Sequence, residues 1–199
     1  MKIIGLTGPS GSGKSSCYSF FDKFNIPCID ADDVYHKLLI PPSECVNELI
    51  SEFTSEILID GKVDRKKLSQ IVFFDSSGKR LERLNEITHK FVKKEITKIL
   101  DEYKSQGKKA VVIDAPLLFE SGLNKQCDIT LAIVAEEKTR IDRIISRDSL
   151  PFDLAKARTD AQKSLDFYES RATYTITNNS TIEALNEKLQ DALNREILI

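Results

Sequence analysis

A chain of 199 residues with 29 Lys and Arg against 31 Asp and Glu carries a formal charge of −2, with no block of like charge and no run approaching the roughly 18 apolar residues of a membrane span. Nucleic acid and membrane are therefore not expected partners, and the apolar start Met1–Thr7, soon interrupted by glycine and serine, is too short for a signal peptide, so a cytoplasmic setting is expected. Cys17, Cys28, Cys45 and Cys127 lack Cys-x-x-Cys spacing or a histidine cluster and read as reduced, buried thiols rather than a zinc site, in a chain long enough for one α/β domain with insertions.

Five β-rich runs recur between helical stretches, at Lys2–Thr7, Ile26–Asp30, Ala110–Asp114, Ile129–Val134 and Tyr174–Thr177. Such alternation requires crossover connections and a parallel sheet, and the nearly continuous apolar first and third runs are candidates for its centre. The first run leads into Gly8-Pro9-Ser10-Gly11-Ser12-Gly13-Lys14-Ser15, which satisfies G-x-x-x-x-G-K-[ST], and then into a helix expected from about Ser15 to Phe24. Glycines serve here because backbone amides must turn inward around a phosphate, and the following helix adds its N-terminal dipole. Gly8, Gly11, Ser12, Gly13, Lys14, Ser15 and Ser16 are thus candidate nucleotide-binding residues. Lys14 can reach the β- and γ-phosphates, and the Ser15 hydroxyl can join the coordination of Mg²⁺.

The second run ends in Asp30-Ala31-Asp32-Asp33 and opens a helix. Transfer of a phosphoryl group to a hydroxyl needs a carboxylate that takes or orients its proton, but acids at this juncture serve equally well as helix caps. Roughly 75 residues without an obvious strand follow, far more than a crossover needs, and read as a helical insertion. Within it Pro41-Pro42 and Asp60-Gly61 are turn signals, Leu68, Ile71 and Val72 mark one amphipathic helix, and the pattern from Leu81 to Leu100 marks a long one ending near Gly107. Val111-Val112-Ile113-Asp114 then places Asp114 at the carboxyl edge of a central strand, where it can orient Mg²⁺ or cap a helix. Arg143 and Arg147 lie one helical turn apart and can face the same way, either as charge-neutralising groups or as a solvated face.

In its ordered series of motifs the chain resembles the dephospho-CoA kinase family over nearly its full length. The motifs are Gly5-Leu6-Thr7-Gly8 with Gly11 to Ser15, Ile29-Asp30-Ala31-Asp32, Asp60 to Arg65 with Leu68 and Val72-Phe73, Leu84-Asn85 with His89, Asp114 to Gly122, Arg143 with Arg147-Asp148, Gln162, and Asn178-Asn179-Ser180. The resemblance implies an α/β, P-loop NTPase-type three-layer fold with a five-stranded parallel core, a helical acceptor-binding insertion and a lid. On that pattern residues 1–199 form one kinase domain, with the core at about 1–33, 108–140 and 172–199, the insertion at about 34–107 and the lid at about 141–171. It implies ATP as donor, Mg²⁺, and dephospho-CoA as the small-molecule acceptor. Asp32 would be the base facing the ribose 3′-hydroxyl, Arg143 would join Lys14 and Asp32 as a catalytic group, Arg147 would help to bind ATP, and His89 would lie on the acceptor side. The chain departs from the family at Pro9-Ser10, at Lys90 after His89, and at Ala172-Thr173, none of which removes a phosphate, metal or proton-transfer group.

Two other readings stay open at this level. One is a kinase for a nucleoside, a nucleoside monophosphate or a sugar acid. The other is a nucleotide switch without chemistry, although Asn124-Lys125-Gln126-Cys127 lacks the aspartate of a guanine-recognition element.

Overall fold

In the computed structural model, which describes residues 1–196, the elements in chain order are β1 (Lys2–Thr7), α1 (Tyr18–Lys23), β2 (Cys28–Asp30), α2 (Ala31–Leu38), α3 (Glu44–Phe53), β3 (Leu58–Ile59), β4 (Lys62–Val63), α4 (Arg65–Phe73), α5 (Lys79–Ser105), β5 (Ala110–Asp114), β6 (Ile129–Val134), α6 (Glu137–Asp148), α7 (Phe152–Asp160), α8 (Leu165–Glu169), β7 (Tyr174–Thr177) and α9 (Ile182–Asn194). They fall into two compact units, one comprising Asp30–Glu102 and the other Met1–Ile29 with the chain from Tyr103 onward.

The larger unit is built on a parallel sheet in the order β2-β5-β1-β6-β7. Strand β1 runs parallel to both β5 and β6, with Leu6 level with Asp114 on one side and Leu131 on the other, and β7 continues from β6 with Thr177 level with Val134. Every residue of β5 and β6 is buried, as strands covered on both faces require. Because side chains alternate along a strand, the two faces can be read directly. Ile4, Leu6, Val112, Leu131 and Ile133 pack with Phe20 and Phe21 on one side of α1 and with Leu185, Leu189 and Leu193 of α9. Ala132 and Val134 point the other way, onto Tyr168 of α8. Next to this face α6 and α7 close a smaller cluster through Ile141, Ile144 and Ala155.

Two expected boundaries move. The strand foreseen from Ile26 starts at Cys28; Pro27 already accepts the Val112 amide at 2.9 Å but has no N–H to return. The helix foreseen from Ser15 opens as a 3-10 turn over Lys14–Cys17, following Gly13 in the left-handed region, and becomes α-helical only at Tyr18.

The Asp30–Glu102 unit has its own core, with Leu39, Cys45, Leu49 and Phe53 packed against Ile57, Leu68, Val72, Ile87 and Phe91. Three ion pairs join α3 to α5 in antiparallel register, Glu44 to Lys94 at 2.9 Å, Glu48 to Lys90 at 2.6 Å and Glu52 to Arg83 at 2.8 Å. Sequence reading missed a hairpin in this segment, where Leu58 pairs with Val63 and Ile59 with Lys62. Asp60 and Gly61 link its strands with φ of 49° and 73°, the two positive values of a type I′ turn. Strands of two residues are too short to show alternation.

Candidate active site

Ligands of an open parallel sheet gather at the carboxyl ends of its strands, where this fold presents Thr7, Asp114, Val134 and the loop after β1. The loop is shaped by what its neighbours leave room for. Gly13 has φ 88°, and a Cβ there would lie 2.3 Å from Asn178 Nδ2; a Cβ on Gly8 would lie 2.1 Å from the Ile133 carbonyl oxygen. A side chain at either place would collide with the structure that holds the loop in place.

Several groups hold it from behind. Asn178 Nδ2 donates to the Ser12 carbonyl at 2.9 Å, and Asn178 is itself fixed by its backbone N–H, which donates to the Val134 carbonyl at the end of β6 at 2.8 Å. Arg143 Nη1 donates to the carbonyls of Gly11, Ser12 and Asn178 at 3.3, 3.2 and 3.0 Å. These bonds occupy backbone oxygens of the loop, and the Ser12 amide closes a turn within it by donating to the Pro9 carbonyl at 3.2 Å. Ser12 is fully buried, and its Oγ has no hydrogen-bond partner in the structure.

Lys14 and Asp114 come together although 100 residues separate them: Lys14 Nζ donates to one carboxylate oxygen of Asp114, and the Tyr18 hydroxyl donates to the other. Asp114 is 2% exposed, and the residues after it form turns rather than an α-helix, so it does not cap one. Ser15 is exposed one residue beyond Lys14. A hydroxyl and a carboxylate are hard oxygen donors of the kind Mg²⁺ prefers. Among the described residues no group of three or more His, Cys, Asp or Glu could hold a metal alone, so an ion here would share its coordination with nucleotide oxygens and water.

Arg147 is not joined to the loop. It is exposed and forms a bidentate pair with its neighbour Asp148, whose second partner is Arg158 of α7. Those two guanidinium groups hold the Asp148 carboxyl down at about 2.

Asp32 and His89 belong to the Asp30–Glu102 unit. Of the three acids at the start of α2, Asp30 is the N-cap, accepting the amides of Asp32 and Asp33 at 2.9 and 3.2 Å, and Asp33 pairs with Lys37 at 2.7 Å. Asp32 occupies the first turn of the same helix. His89 is half-buried on α5, where burial and then the charge of Lys93 lower its pKa below the ordinary imidazole value.

Two contributors, Tyr18 and Arg140, were not legible in the sequence, and a third, Gln162, stood in the motif series without a role. Tyr18 reaches Asp114, Gln162 accepts the Ser10 amide at 2.9 Å, and Arg140, 6% exposed, donates to both Ser10 and Gln162. For Arg140 the available signal was its spacing of three from Arg143, which puts both on one side of α6.

A sequence model of the dephospho-CoA kinase family matches residues 2–184. A dephospho-CoA kinase of Lactobacillus johnsonii is 39% identical over 192 residues, covering 96% of each chain. Among solved structures, a protein of Thermus thermophilus superposes with a TM-score of 0.81 at 28% identity, covering 98% of this chain and 97% of its own. A dephospho-CoA kinase from Campylobacter jejuni gives 0.70 at 26% identity with the same coverage. The chain belongs to the dephospho-CoA kinase family.

Proposed function

We propose that this chain transfers the γ-phosphoryl group of ATP to the 3′-hydroxyl of dephospho-CoA, giving CoA and ADP, in the cytoplasm. The observation that carries this reading is the complete phosphate loop, held by Asn178 and Arg143 with Lys14 and Asp114 at its mouth, in a chain matched by the family along residues 2–184.

The loop's inward amides and the N-terminal turn that follows bind the triphosphate, and the orphaned Ser12 hydroxyl is a further donor for it. Lys14 exchanges its bond to Asp114 for oxygens of the β- and γ-phosphates, which neutralises charge as it develops. Mg²⁺ would be held by the Ser15 hydroxyl and, directly or through water, by Asp114, supplying further charge neutralisation between the phosphates. Arg143 keeps the loop's carbonyls occupied and adds positive charge beside it. Arg147, freed from Asp148, contributes to ATP binding.

Within the Asp30–Glu102 unit, Asp32 serves as the base that takes or orients the proton of the acceptor hydroxyl, and His89 contacts the acceptor. This assignment is supported by the family's motif at Ile29 to Asp32 and by the place of Asp32 in the first turn of α2. The insertion at about 34–107 is then the acceptor-binding part, and the segment at about 141–171 a lid over the core at 1–33, 108–140 and 172–199. Closure would exclude water that otherwise hydrolyses ATP.

ADP release with and without dephospho-CoA, in the native chain and in Asp32→Asn, tests the proposal. ADP should form only with the acceptor, and the variant should turn over on the order of a hundredfold or more slower with unchanged ATP affinity. Acceptor-independent ADP release, or ordinary turnover in the variant, would overturn it.

A further inference from the structure

The first half of the phosphate loop raises a question of support. Pro9 has no N–H, and the Ser10 N–H is committed to Gln162 Oε1 at 2.9 Å, so neither residue offers a phosphate an amide. What Ser10 does instead is anchor the loop. Its carbonyl accepts from Arg140 Nε at 3.0 Å, and Arg140 Nη2 donates at 2.6 Å to the same Gln162 oxygen that holds the Ser10 amide. The three residues form a closed ring of hydrogen bonds in which both backbone groups of Ser10 are taken.

Arg140 is buried to 6% exposure, and a guanidinium is kept out of water only where its donors are satisfied. Its main chain reaches the loop as well: a Cβ on Gly11, which has φ 79°, would lie 2.5 Å from the Arg140 carbonyl oxygen. Gln162 lies in the turn after α7, 152 residues from Ser10. The ring therefore joins the loop to α6 and to the end of α7.

We infer that Arg140 and Gln162 are positioning residues for the phosphate loop, clamping Ser10 by its amide and its carbonyl so that the segment containing α7 and the loop hold one geometry together. The inference rests on the proposed ATP-dependent reaction. Displacing the α7 turn removes the acceptor shared by the Ser10 amide and the buried Arg140 guanidinium, and loosens the loop. By reciprocity, ATP bound to the loop holds the α7 turn in place.

The test is the ATP dissociation constant by calorimetry, with KM values for ATP and dephospho-CoA, in the native chain, Gln162→Leu, Gln162→Glu and Arg140→Met. Leucine fills the space without accepting a bond, whereas glutamate accepts both, and more strongly. Gln162→Leu and Arg140→Met should each raise the ATP dissociation constant on the order of tenfold while the KM for dephospho-CoA stays unchanged, and Gln162→Glu should bind ATP like the native chain. The double variant Arg140→Met/Gln162→Leu should be no worse than the poorer single one, because the ring is already broken. Native ATP affinity in Gln162→Leu overturns the clamp and leaves the kinase reading intact. Equal losses in Gln162→Leu and Gln162→Glu, tracking a lowered Tm, overturn it in favour of a purely structural role. A native chain that binds no ATP overturns the clamp and the kinase reading together.

Discussion

Replacing Gly13 by alanine probes how the loop is built. Gly13 holds φ 88°, a left-handed conformation that costs an alanine about 1–2 kcal/mol. The new Cβ would also lie 2.3 Å from Asn178 Nδ2, while its next neighbour, Arg143 Nη1, stands at an ordinary 3.5 Å. The amide end of Asn178 is the part able to give way, and in doing so it loses its 2.9 Å bond to the Ser12 carbonyl, a loss of about 1 kcal/mol. Gly13→Ala should therefore cost about 2–3 kcal/mol in all. Asn178→Ala alone removes the same bond and truncates a buried side chain, for about 1–2 kcal/mol. In the double variant that bond can be lost only once and the collision is gone, so its cost should fall about 1 kcal/mol short of the sum. Urea unfolding measures all four proteins, with equal slopes required before midpoints are compared. Additivity to within about 0.5 kcal/mol would refute the claim that Asn178 is the wall against which Gly13 is packed.

Other expectations follow from the same geometry. With its pKa lowered by burial, His89 is less protonated when folded than unfolded, so its contribution to stability is intact above the unfolded value and lost as pH falls through the folded one. A proton NMR titration should give His89 a midpoint below about 6.5, and a midpoint above that contradicts the burial argument. Burial pushes the thiols of Cys17, Cys28 and Cys127 up to about 12, so iodoacetamide near neutral pH should modify them slowly in the folded chain and fast in urea. Rapid labelling of Cys17 in the folded protein would show its site to be open. Tyr18→Phe removes one of the two donors on Asp114, and ATP turnover should then need a higher Mg²⁺ concentration for half-saturation, a shift absent if Tyr18 only fills space.

What the sequence revealed of this fold depended on how far apart the interacting residues lie. β5 and β6 are buried throughout and β1 from Ile4 to Thr7, while the partly buried β7 was marked by its β-branched and aromatic residues, so the bounds of all four could be read from local composition. The phosphate loop is legible because its chemistry requires glycine, lysine and a hydroxyl at fixed spacing. The hairpin of β3 and β4 was not, since two residues per strand carry no period and only the Asp60-Gly61 turn left a trace. Asp30 and Asp32 look alike on paper, and only the capping geometry gives Asp30 its helix role. The ring of Ser10, Arg140 and Gln162 was out of reach because its bonds span 130 and 152 residues, distances at which one sequence gives no pairing signal.

The most direct test of the account is the identity of the product. Purified chain incubated with Mg²⁺-ATP is offered dephospho-CoA, AMP, adenosine and a sugar acid in parallel, and the products are resolved by mass and phosphorus NMR. The account predicts ADP and CoA, with the new phosphate on the ribose 3′-oxygen, from dephospho-CoA alone. Phosphate appearing on another acceptor, or ATP bound without transfer to any of them, would contradict it.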